Sequence, residues 1–272
     1  MRSANPLFLV FTIFVIVLLS NLLSALTVTI MYGHVVVLSS YRPGYVVLLV
    51  ALPSLILLLF DLLAYTAIHV HLGMRASGDK LIDPQRLARG MLYASLPVLA
   101  LLVPELIVGI CGVAAPRACL EPVAFMVYVW DALVGLYSLY IHPVYAPYAG
   151  LVTAHWALRG GQGDSFWELM RERLALLPWV LLATILSSLT SVLLVRLTTS
   201  FLPSMQNYLV SLPGPHGTSG WAWKWFVAAS AAMPRYSTLL ADGLRYLLYA
   251  VIAYELIVAR NRGMRREAAR QD

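Results

Sequence analysis

The sequence predicts an all-α, polytopic membrane protein of six transmembrane helices, with two further amphipathic helices in its loops. Three observations lead there. Of 272 residues, 60% are hydrophobic and only 12% are charged, with a mean hydropathy of +0.78. A soluble domain of this length needs far more polar surface than that. The apolar residues are gathered into long runs, and a bilayer crossing takes about 20 of them. The basic residues fall in clusters between alternate runs, as the positive-inside rule requires.

Six segments are long enough to span: 7–31, 45–70, 91–114, 122–148, 175–199 and 236–259. Together they make a transmembrane domain over 1–259, followed by a basic tail over 260–272. The first run is too long for the core of a signal peptide and lacks a small-x-small cleavage site, so it reads as a span. Arg75, Lys80, Arg86 and Arg89 follow span two; Arg159, Arg171 and Arg173 follow span four; Arg260, Arg262, Arg265, Arg266 and Arg270 follow span six. The loops between them hold only Arg42, Arg117, Lys224 and Arg235. Both termini are therefore expected in the cytoplasm, and the net charge of +6 reports orientation in the plasma membrane.

The two basic loops resemble each other. RASGDKLIDPQRLARGMLYASLPVLALL and RGGQGDSFWELMRERLALLPWVLLA each run from arginine through Gly-Asp to a short amphipathic helix and then a proline. Asp83 and Ser165 suit the caps and Pro84 the first turn. The apolar faces (Leu87 and Met91; Phe166, Leu169 and Met170) are expected in the lipid interface. On the opposite side, Cys111 and Cys119 bracket a short turn that a disulfide would close in an oxidising compartment. Free thiols are the alternative. Trp221, Trp223 and Trp225 suggest a short interfacial helix over 219–230.

Spans two, four and six carry Asp61-Leu-Leu, Asp131-Ala-Leu and Asp242-Gly-Leu, each followed by a tyrosine: Tyr65, Tyr137 and Tyr246. A charge in hydrocarbon costs about 2.5–3.5 kcal/mol on insertion scales, so such residues face the protein interior or water. The candidate polar interior comprises Asp61, Glu105, Asp131, Asp242 and Arg245. Asp242 and Arg245, three apart on a helix, can pair. Arg245 is also within expected reach of Glu105 and Asp131, while Asp61 needs a sheltered polar setting of its own. These groups serve either as interhelical ties or as a polar path. Pro143 and Pro147 should kink or break span four.

His69, His71, His142 and His155 raise the possibility of haem or quinone binding in an electron-transfer subunit. His69 and His71, two apart, point to different sides of a helix, so the spacing argues for weak proton carriers near the headgroups instead. No metal site, cofactor or catalytic motif is expected: GxSxG, HExxH, the P-loop and CxxC are all missing from the sequence.

DSFWELMRERLALLPWVLLA resembles the multi-span membrane domain found with glycerophosphodiester phosphodiesterases. The six-span layout, with intramembrane carboxylates and the basic tail RNRGMRREAAR, resembles the polytopic channel component of type IV secretion and of the archaeal DNA-import apparatus. The second resemblance implies an oligomeric assembly with a cytoplasmic ATPase and DNA as translocated cargo. Neither resemblance transfers site residues. The sequence thus points to a channel or translocation subunit, with a non-transporting scaffold as the alternative.

The orientation has a direct check. Ser77→Cys, in a chain with Cys111 and Cys119 replaced by serine, should react with an impermeant maleimide only after the cells are opened. Labelling of intact cells would invert the topology.

Overall fold

The computed structural model describes residues 5–37, 43–77, 82–115, 117, 124–158, 165–211 and 240–259. The elements are α1 (Pro6–Val37), α2 (Pro43–Ser77), α3 (Pro84–Ala114), α4 (Ala124–Leu136), a π-helical turn (Tyr137–Ile141) and α5 (His142–Leu158). They continue with α6 (Phe166–Glu172), a 3₁₀ turn (Arg173–Leu176) and α7 (Leu177–Ser211). A final helix, α8 (240–253), runs into a π-helical turn (Tyr254–Ala259). Four helical stretches are long and apolar enough to cross a membrane: Pro6–Ile30, Val47–Ala76, Pro84–Ala114 and Phe166–Leu197. The chain is an all-α, multi-pass membrane protein. The basic tail, the tryptophan-rich segment over 219–230 and Cys119 lie outside the described residues, as do Lys80 and Arg159. Cys111 sits near the end of α3.

The second helix is the hub. It packs against α1, α3 and α5. Its buried residues Leu62, Tyr65, Ile68, His69 and Leu72 recur at helical spacing. The first helix buries only one stripe, Leu9, Ile13, Ile16, Val17 and Ser20, and leaves Phe8, Phe11, Phe14, Leu18 and Leu22 outward. Outward leucines and phenylalanines carry no penalty against acyl chains. Helices in lipid instead associate through close packing and small residues. Gly150 on α5 is the tightest case: a Cβ there would lie 2.8 Å from the backbone N of Thr66 and 2.9 Å from the carbonyl carbon of Tyr65. Glycine at this position lets α5 lie directly on the α2 backbone.

Two expectations need correction. Residues 84–91 do not form a separate interfacial helix; they are the opening turns of the 31-residue α3. Asp83 caps that helix, accepting from the backbone N–H groups of Gln85 (2.9 Å) and Arg86 (3.2 Å). Its own N–H donates to the Ala157 carbonyl, pinning α3 to the end of α5. With the cap satisfied and no break after Met91, the helix runs straight into the span. The second short helix, α6, does form, with a full capping box between Ser165 and Glu168. Its face is not in lipid, however. Phe166 and Leu169 are 1% exposed. Phe166 meets Tyr93 and Trp156 at ring-centroid distances of 5.7 and 5.8 Å. The Tyr148 hydroxyl donates to the Met170 carbonyl. Aromatic packing against α3 and α5 holds this helix inside the protein, leaving Trp167 outward.

Pro143 disturbs its span, as expected of a proline there, but does not end it. It removes a donor and crowds the carbonyl four residues earlier, Leu139. The backbone responds with the wide turn over Tyr137–Ile141, closed by the His142 N–H on the Tyr137 carbonyl, and α5 continues through Pro147.

Replacing Gly150 by valine should destabilise the protein by roughly 1–3 kcal/mol or more, since backbone cannot yield as a side chain can. Gly135→Ala, where a Cβ meets nothing within 4 Å, should leave thermal unfolding in detergent almost unmoved. Equal effects would mean that α5 and α2 do not approach this closely.

Candidate functional site

Asp61 sits at the middle of α2 and gathers partners from two other helices. From α8, Arg245 Nη2 donates to Asp61 Oδ1 at 2.8 Å, and the Tyr246 hydroxyl donates to the same oxygen. From the start of α5, His142 Nε2 lies 3.1 Å from Oδ2. At that distance the imidazole is a third partner of the carboxylate. The other ring nitrogen, Nδ1, is 3.3 Å from the Tyr137 hydroxyl. Arg245 also reaches Asp242 at 3.8 Å.

Local structure explains the convergence. Asp61 and Tyr65 are one turn apart on α2, and Asp242, Arg245 and Tyr246 occupy one turn of α8. Tyr65 packs edge-on against Tyr246 (5.2 Å) and Tyr249 (4.8 Å), aligning the two helices. One turn further along α2, His69 Nε2 shares a hydrogen bond with the Tyr249 hydroxyl at 2.8 Å. On the α5 side the π-helical turn brings Tyr137 beside His142. The site therefore depends on an irregularity that the following proline imposes.

The site is graded in depth. Side-chain exposure rises from 2% at His142 to 13% at Asp61, 29% at Arg245 and 39% at Asp242. Asp242 is thus the open end and His142 the closed one. The site is also incomplete as a hydrogen-bond network. The Arg245 Nε proton, buried like the His142 ring, is without a partner among the described residues. Buried donors left open in low dielectric are costly, unless something else accepts from them.

Of the sequence-predicted residues, Asp61, Asp242 and Arg245 come together here. Glu105 and Asp131 do not. The expected reach of Arg245 to them is not realised, because it is committed to Asp61 and Asp242. Glu105 on α3 is 3% exposed, and the side chain it meets is Asp131. Asp131, on α4, is exposed. The Asp-x-Leu echo thus contributes two of its three aspartates but all three of its tyrosines. His142 was not foreseen as a partner of Asp61, nor Tyr137 as the neighbour of its ring. The one signal for His142 was the adjacent Pro143, which marks an irregular turn.

Two of the histidines expected near the headgroups are enclosed instead. His69 and His71 are buried, because α2 is surrounded at that depth. His71 lines a cavity of about 550 Å³ between α1, α2 and the start of α3, with Phe8, Leu63, Val70, Met74 and Leu87 among its other walls. The walls of this cavity do not include Asp61, Arg245 or His142. No three His, Cys, Asp or Glu side chains among the described residues converge as metal ligands.

Asp61→Asn and Arg245→Gln should each cost roughly 3–5 kcal/mol, the penalty for stranding one partner of a buried pair. The double variant should cost clearly less than the sum, measured by unfolding in detergent. Asp242→Asn, a longer and more exposed contact, should cost under about 1 kcal/mol. Strict additivity of the first two would mean that the pair does not form.

No protein-family model matches the chain, and neither a curated protein nor a solved structure matches it. Its function must come from its own side chains.

Proposed function

We propose that the chain is a transport or translocation subunit of the plasma membrane, and that the Asp61–Arg245–His142 site engages the cargo or the ion that drives its movement. The observation that carries this reading is Asp61 itself, an intramembrane carboxylate held by Arg245, Tyr246 and His142 in a site that grows more exposed towards Asp242. A charge kept inside the membrane marks a functional group by default, and Arg245 Nε, buried without a partner among the described residues, keeps a donor for a ligand. The rise in exposure towards Asp242 gives that ligand an approach, and the π-helical turn beside His142 supplies an element able to shift register.

The chain carries no nucleotide-binding motif, so the energy comes from an ion gradient or from a partner. A cytoplasmic ATPase within an oligomeric assembly fits the basic loops and tail, with DNA as one candidate cargo. The reading involves no catalytic step. A second reading, a non-transporting scaffold, is favoured by the α1–α2–α3 cavity, whose walls leave out Asp61.

Affinity purification from the native membrane separates the two by identifying partners. A motor ATPase recovered with the chain supports translocation of a macromolecule. Asp61→Asn, produced at wild-type level, should then lower uptake about tenfold, equivalent to a loss of about 1.4 kcal/mol. Unchanged uptake would reduce the site to a packing element.

A further inference from the structure

The cavity beside His71 is a slot in the flank of the bundle. The helices α1 and α3 both pack against α2. Each of the three gives one face to the wall: Phe8 and Thr12, Leu63 and His71, Leu87 and Met91. Phe8 and Leu63 are also exposed, so the slot opens sideways towards lipid. Its depth follows from the helix rise. Along α2 the wall runs from Met74 in to Leu63, about 16 Å at 1.5 Å per residue. Met74 is in the last turn of α2, and the wall also takes in Asn5 and Ile82, just before α1 and α3 begin. The slot thus starts at one end of the bundle and reaches about halfway through a hydrocarbon core about 30 Å thick. It is one leaflet deep.

The walls define the guest. Most of them are aliphatic, aromatic or methionine. The two hydroxyls, Thr12 and Thr66, donate to carbonyls of their own helices, to Phe8 at 2.8 Å and Leu62 at 2.9 Å. A sugar or a nucleotide would lose its water there and gain no donor from the deep wall. A space of about 550 Å³ lined in this way suits an apolar guest better than water. In a bilayer, the material at its opening is acyl chain.

The shallow end is different: it is basic. Arg75 is exposed, stands one turn beyond His71 on the same helix face, and acts electrostatically on that ring. Arg86, in the first turn of α3, is next to Leu87 in the sequence, and its Nε lies 3.4 Å from the Asp83 carboxylate. Among the described residues flanking the slot, Arg75, Arg86 and Arg89 face a single acid, Asp83, which leaves the rim positive.

We infer that the slot binds one anionic phospholipid, with an acyl chain lying on α2 between α1 and α3 and the phosphate meeting Arg75 at the rim. Basic pockets between transmembrane helices attract anionic headgroups, and a chain one leaflet long matches the depth. His71, one turn deeper than Arg75, lies at the level of the ester linkages, where its ring can hydrogen-bond them. The site uses neither Asp61 nor Arg245 and holds whether or not the chain transports anything.

Photocrosslinking of the full-length protein in phosphatidylcholine nanodiscs tests it. A trace of phosphatidylglycerol or of phosphatidylcholine, each with a diazirine on one acyl chain, serves as the probe, and adducts are mapped by mass spectrometry. The phosphatidylglycerol probe should label the peptides carrying Phe8, Leu63 and Leu87 several-fold more than the choline probe does. Arg75→Gln, at an exposed position, should lower that labelling roughly fivefold, the effect of one cation at an anionic surface. Ala67→Phe, which fills the slot, should lower labelling there by both probes; where that variant fails to fold, Arg75→Gln alone decides. Equal labelling by the two headgroups would overturn the site. So would phosphatidylglycerol labelling no stronger at the slot than at the outward Leu22, or labelling that Arg75→Gln leaves unchanged.

Discussion

A carboxylate in hydrocarbon must be answered by a donor, and Asp61 is the residue around which this fold is answered. Its partners come from α5 and α8, so satisfying one side chain fixes three helices relative to one another. The alternative, an unanswered charge, costs more than any single apolar contact in the bundle returns. The aromatic ladder of Tyr65, Tyr246 and Tyr249 follows from the same demand, since the donors can reach only if α2 and α8 stay in register. Gly150 serves it from the other side. By admitting α5 to the α2 backbone, it brings His142, two turns away on α5, towards Asp61.

Much of this architecture can be read from the letters because lipid imposes strong rules. Length and hydropathy mark the long helices, since backbone groups in hydrocarbon have no other way to be satisfied. Caps were legible too: Asp83 and Ser165 sit where their short side chains can close a first turn. The involvement of Asp242 and Arg245 followed from their spacing on one turn. What spacing cannot give is the partner across 184 residues, and so the pairing of Arg245 with Asp61 was missed. The fate of residues 84–91 and of Phe166 was missed for a related reason. An amphipathic pattern says that a face is buried, but not whether lipid or protein buries it.

The intramembrane acids differ in what answers them. Asp61 is met by a guanidinium, a tyrosine hydroxyl and an imidazole from two other helices, whereas Glu105 lies beside an apolar cluster and meets another acid, Asp131. The first arrangement ties α2 to α5 and α8; the second joins α3 to α4.

The distance between Asp61 and Arg245 along the chain sets a waiting time. At roughly 5–20 residues per second, a ribosome needs about ten to forty seconds to travel from one codon to the other. Through that interval α2 is already made, while the guanidinium that neutralises it does not yet exist. The newborn chain therefore holds that acid without its guanidinium until α8 arrives. A chain that terminates before α8 never gains the guanidinium that answers this acid.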